Sequence, residues 1–222
     1  MADPYATDAP DLSARPAGPA PWADGIAERG GAILGDQARV PSGARFVVVH
    51  CRGVGTLAPF ARLRPELATL LWLEHTPRSR SAAAGNELLE DLRGLEVPLF
   101  ALKQGWVGGP PDRPGCFEVE AGLIEAVLDA ALGNDGTVVW EPDPDFGYDV
   151  PALVPGLDPA GAQALLPRLL YGDHDRVYEH ASLVAAKKRE RWEIARALRG
   201  LDGAVAAASG WPPAPSADDR SA

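Results

Sequence analysis

Two apolar runs stand out along the chain, "RFVVVH" at 45–50 and "EVPLFALK" at 96–103. Neither alternates with polar residues as a half-exposed strand would. Unbroken runs rich in Val and Leu suit strands covered on both faces. Strands are therefore predicted at 45–50 and 97–103, with Pro98 tolerated near a strand start. "TVVWE" at 137–141 is a third candidate. Elsewhere the period is that of a helix. "RPELATLLWLEH" at 64–75 carries Pro65 in its first turn. "GNELLEDLRG" at 85–94 puts Leu88, Leu89 and Leu92 on one face and stops at a glycine. Residues 118–133 align Ile124, Val127, Leu128 and Ala131, with Gly133 as the stop. A long helix over 175–199 has a stripe of Val177, Ala181, Val184, Trp192, Ala195 and Leu198. Lys188 and Arg191 interrupt that stripe, which predicts a less buried helix. Strands alternating with helices predict an α/β fold, a mixed or parallel sheet from 45–50, 97–103 and 137–141 flanked by helices.

The ends lack periodicity. Residues 1–23, rich in Pro, Ala and Asp, and residues 209–222 read as a disordered arm and tail around one domain over 24–208. A formal net charge of -10 argues against nucleic-acid or anionic-membrane binding, since both need a basic surface. The two cysteines, Cys51 and Cys116, form no CxxC and read as reduced thiols. No basic-then-apolar leader and no run of membrane-spanning length is present, so a cytoplasmic location is expected.

Chemistry is suggested first by "KQGWVGGPPDRPG" at 103–115, four glycines and three prolines around Trp106 directly after a strand. Glycine loops after strands hold phosphates, because their N–H groups approach an anion closely. A Walker loop would continue with Lys and then Ser or Thr, whereas Gly115 is followed by Cys116 and Phe117.

Three collinear stretches resemble the ATP-dependent phosphoenolpyruvate carboxykinases. In the first, at 46–76, Gly55, Leu57, Pro59, Leu63, Pro65, Glu66 and Ala68 match the turn F-G-V-L-P-P and the helix start after it. The second, "VPLFALKQGWVGGP" at 97–110, is similar to a strand followed by N-T-G-W-x-G-G-P. The third, "DPDFGYDVPALVPGLD" at 143–158, is similar to D-P-x-F-G-x-x-V-P-x-x-x-P-G-V. The resemblance implies the fold of the enzyme's C-terminal lobe. In the family, the P-loop, the metal-binding Lys, His and Asp, and the arginines for oxaloacetate all lie upstream of these stretches, and residues 1–45 hold no counterpart. The family's Cys-Phe-Gly stretch between the first two segments is replaced by the short helix around Leu88. Its Lys-Arg pair after the glycine loop has no clear match, and its adenine-reading Thr-Arg falls on Glu120 and Ala121. Arg113 is wrongly spaced as a substitute, and Glu118 and Glu120 would repel a polyphosphate.

The loop is therefore read as a relic. Its glycines keep a turn, and Trp106 is expected to be buried over the sheet end with its N–H on a carbonyl. Gly105, Trp106, Gly108, Gly109 and Arg113 remain the candidates for a weak retained ligand site. No catalytic or metal-binding residue is assigned. Asp173, His174, Asp175, Glu179 and His180 have metal-capable side chains but read as a charged helix start. The basic run at 187–196 reads as a solvated helix face and the acidic run at 141–149 as a proline-rich loop. His50 and His75 read as lone structural histidines. The expected function is a non-catalytic carboxykinase-like domain that binds a protein partner or a second copy of itself, with no cofactor. The alternative is a subunit of an ATP-dependent carboxykinase, with ATP and a divalent metal recruited only by a separate P-loop polypeptide.

Overall fold

The apolar runs become neighbouring central strands of a six-stranded sheet in the computed structural model of the chain. It describes residues 22–36, 39–51, 56–103, 105–109, 116–133, 138–172 and 174–211. The strands are β1 Gly31–Leu34, β2 Phe46–Cys51, β3 Phe60–Arg62, β4 Leu99–Lys103, β7 Val139–Pro142 and β8 Asp149–Leu153, in the order β1-β2-β4-β3-β8-β7. β1, β2 and β4 are parallel, while β3 runs antiparallel to both β4 and β8, and β7 antiparallel to β8. The sheet is thus mixed. A two-stranded ribbon, β5 Trp106–Val107 with β6 Phe117–Glu118, stands apart from it.

The helices are α1 Ala23–Glu28, α2 Pro65–His75, α3 Ala82–Arg93, α4 Ala121–Leu132, α5 Pro159–Ala164, α6 His174–Ala197 and α7 Gly203–Ala207, with a 3-10 turn at Pro167–Tyr171. Successive strand residues point to opposite faces. Val47, Val49 and Ala101 join one core with Leu67, Leu71, Leu88 and Leu92 of α2 and α3 and Val184 of α6. Phe46, Val48, Phe100 and Leu102 join the other with Ile26 of α1 and Ile124, Val127 and Leu128 of α4. Helices on both faces explain why β2 and β4 are apolar up to their C-terminal ends.

The strand predicted at 137–141 is β7, seen from Val139, but it lies on the far edge and not beside β4. β1, β3 and β8 were not predicted as strands. Gly31 is required at the start of β1, because a Cβ there would stand 2.3 Å from the Phe46 ring. Of the expected arm, Trp22 and Ala23 are described. Trp22 is buried, edge-on to the His50 ring at 4.9 Å, and Ala23 starts α1. Residues 1–21 and 212–222 lie outside the described residues. No described helix is long and apolar enough to cross a membrane.

In α6 the buried face differs from the predicted stripe. Val184 and Ala195 are buried, but Val177 is 51% exposed and Arg191 is 1% exposed. The interrupting arginine is a core residue, and its partner explains why.

Candidate functional site

Helix α2 ends at the C-terminal edge of the parallel strands, where its last turn brings Glu74 and His75 beside the ends of β1 and β2. The Glu74 carboxylate is buried. Its Oε2 accepts from Arg191 Nε at 2.8 Å, and its Oε1 is ion-paired with the Lys187 ammonium. Lys187 also reaches Glu190 at 2.9 Å, and the Arg191 guanidinium lies over the Phe146 ring at 5.0 Å. Burial works to raise the Glu74 carboxyl, but the Arg191 and Lys187 cations outweigh it and hold it down at about 2. Burial pushes the His75 imidazole down to about 4, so it is neutral near pH 7. A cavity of about 320 Å³ lies here, lined by Asp36, His50, Trp72, His75 and Thr76 among others. Trp72 Nε1 donates to Gly35 O at 2.7 Å across its floor. Ligands of open α/β sheets gather at this edge. The charges here nevertheless answer one another, which marks the cluster as a joint between α2 and α6.

Next along the same edge is Lys103, the last residue of β4 and register partner of Cys51. It is fully buried. Its Nζ donates to the carbonyl of Trp106, and no carboxylate pairs with it among the described residues. Burial pushes this ammonium down to about 7 and the Cys51 thiol up to about 12. A lysine at a strand end reads as the first residue of a loop, so the sequence did not single it out.

The glycine loop follows. Gly105, Gly108 and Gly109 have φ of 98°, 86° and 138°, values that side-chain-bearing residues rarely adopt. The protein uses the loop's carbonyls itself. Gly105 O accepts from Val119 N at 2.9 Å, Gly108 O accepts from Arg176 Nη2, and Trp106 O accepts from Lys103. Arg176 also donates to Leu170 O at 2.7 Å and stacks on Tyr171. Gly105, Trp106, Gly108 and Gly109 are thus brought together, whereas Arg113 lies outside the described residues. Trp106 departs from expectation. It is half-buried where full burial was expected, and it sits in the β5–β6 ribbon beside the sheet.

The remaining clusters stay dispersed. Among the described residues no group of three His, Cys, Asp or Glu side chains is placed to hold a metal. His180 lies 3.9 Å from Asp145 and against Tyr171. Asp173 and the side chains of His174 and Asp175 lie outside the described residues. In the acidic run, Asp143 Oδ1 accepts from the backbone of Asp145 and Phe146 at 2.9 and 2.8 Å, fixing a turn. In the basic run, Arg191 faces the core and Lys187 is half-buried against Glu74, a correction that follows from that carboxylate.

No protein-family model matches the chain. Curated relatives do. It is 28% identical over 156 residues to the phosphoenolpyruvate carboxykinase (ATP) of Novosphingobium aromaticivorans, a match covering 56% of this chain and 29% of that one. Over 158 residues it is 30% identical to the enzyme of the same name from a Ruegeria species, covering 58% and 28%. The Thermus thermophilus protein of that name is 28% identical over 167 residues, covering 63% and 30%. The chain therefore spans less than a third of the length of these relatives, and it is similar to a part of them. That extent accords with the C-terminal part to which the three stretches point.

Proposed function

We propose that this carboxykinase-like chain is a non-catalytic domain that acts by binding another polypeptide or a second copy of itself. One observation carries the reading. At the N-terminus of α4, where the resemblance puts the Thr-Arg pair that contacts adenine, stands Glu120, with Glu118 two residues before it. Neither carboxylate makes an ion pair or a side-chain hydrogen bond among the described residues. Two carboxylates with no cation beside them among the described residues oppose a polyphosphate. These residues do not fit ATP. No phosphoryl step is derived through it, because phosphoryl transfer depends on cations and N–H groups positioned around the phosphates.

One of the two sheet edges supports association. β7 carries Pro142, Glu141 and an irregular register, three features that discourage strand addition. β1, "GAIL", has no proline, charge or bulge, and pairs only with β2 among the described residues. The same open edge favours the second reading, a carboxykinase subunit whose sheet continues in a separate P-loop polypeptide that brings ATP and a divalent metal.

The test is a carboxykinase assay of the purified chain with ATP, Mg²⁺ and Mn²⁺, paired with its mass in solution by light scattering. The expected result is no exchange between ATP and oxaloacetate. Activity that copurifies with the chain refutes the non-catalytic reading. Activity that arises only on adding a P-loop protein establishes the second.

A further inference from the structure

A second cavity, of about 710 Å³, opens on the α4 face, between β6, the start of α4 and α5. Leu123, Leu157 and Leu170 form an apolar floor, and Glu118, Glu120 and Asp158 stand around it. Asp158 is occupied, since its Oδ1 caps α5 by accepting from Gly161 N at 2.7 Å. Glu118 and Glu120 are exposed. Among the described residues no lysine or arginine lines the groove. Its wall is low at Gly122, where nothing lies within 4 Å of the place a Cβ would take. An apolar groove of this size, edged by one sign of charge, selects its occupant by both properties.

We infer that this groove docks a basic segment of a partner protein, one that lays an aliphatic side chain on the leucine floor and points Lys or Arg at Glu118 and Glu120. Charge decides among the occupants. Residues 1–21 carry three aspartates against one arginine, and residues 212–222 two aspartates against one arginine, so the chain's own ends are repelled. A second copy brings a formal charge of -10. The inference rests on the reading of the chain as a binding domain and names the chemistry of its partner.

The probe is a short fluorescein-labelled peptide of alternating lysine and leucine, followed by anisotropy on the full chain. Saturable binding is expected, weakening as salt rises. Glu118→Lys with Glu120→Lys is expected to weaken it about tenfold or more, the scale of several exposed charge contacts. Glu87→Lys with Glu90→Lys makes the same charge change on α3, on the other side of the sheet, and is expected to change it less than about twofold. Gly122→Leu fills the groove without touching a charge and removes no helix propensity, so it is expected to abolish binding while the chain stays folded. Equal weakening by both charge pairs, equal binding of a lysine–serine peptide, undiminished binding to Gly122→Leu, or no binding at all overturns the inference. Each of those results leaves the carboxykinase assay unaffected, so the groove can fail while the non-catalytic reading stands, and the reverse.

Discussion

Charge is handled differently on the two sides of the sheet. On the α2–α6 side Glu74, Lys187 and Arg191 are drawn together, with Glu74 and Arg191 deeply buried, and the carboxylate is answered on both oxygens. On the α4 side Glu118 and Glu120 stand exposed around a leucine floor, with no ion-pair partner among the described residues. Burying an ion is costly unless partners replace its water, so a matched buried cluster is part of the architecture. A surface carboxylate costs the fold nothing when left alone, so its placement is free to serve a partner. The contrast separates residues that hold the domain together from residues available for recognition. Lys103 belongs to neither group: it is buried like the first and, among the described residues, has no charged partner, like the second.

The comparison breaks most visibly at Arg191. Arg191→Ala leaves Glu74 buried with one cation and is expected to destabilise the domain by about 3–5 kcal/mol in urea unfolding. A loss under about 1 kcal/mol would place the cluster among ordinary surface pairs. Replacing Glu74 and Arg191 together by Leu should recover much of the loss, since an apolar pair of similar size removes the desolvation cost.

Lys103 sharpens the contrast through pH. Its folded pKa, about 7, lies below the ordinary 10.5. Between those values the unfolded chain binds the proton and the folded chain does not, so stability rises with pH across that window and is lowest below about 7. The parent is expected to gain on the order of 1–2 kcal/mol from pH 7 to pH 9, below the range where Cys51 titrates in the unfolded chain, and Lys103→Met should remove that rise. An unchanged slope in the variant would show that Lys103 is charged or solvated in the fold.

Trp106→Ala should cost about 1–2 kcal/mol, less than the roughly 3–5 of a fully buried aromatic, because the ring is half-buried and the bond from Lys103 goes to the backbone carbonyl. A melting temperature equal to the parent's, with loss of a bound nucleotide or partner, would make the indole a ligand platform. The smallest effect is expected from Glu118→Gln with Glu120→Gln, within about 0.5 kcal/mol of the parent. A larger loss would mean that these carboxylates are structural after all.

How far the sequence could be read follows from these same residues. β2 and β4 were legible because both of their faces are covered, which leaves an unbroken apolar run. β1 and β3, of four and three residues, are too short to show a period. β8 carries Pro151, which masked it as an extended loop. Glu74 and Arg191 are separated by 117 positions, and no local pattern joins them. The interruption of the α6 stripe by Arg191 was the available signal. A charge on an otherwise apolar helix face points to a buried partner as readily as to an exposed helix. The glycine loop and the acids after it were legible as a departure from the carboxykinase pattern of residues. The groove was not, because residues 156–164 complete it from a distant part of the chain.

The central claim is that the segment from Lys103 to Glu120 is scaffold and recognition surface, and not a nucleotide site. Isothermal titration of the purified chain with ATP and Mg²⁺ tests it most directly. The account predicts no saturable heat up to about 1 mM ATP, a binding free energy weaker than about −4 kcal/mol. A dissociation constant on the order of 10 μM, lost in Trp106→Ala without a change in melting temperature, would contradict it.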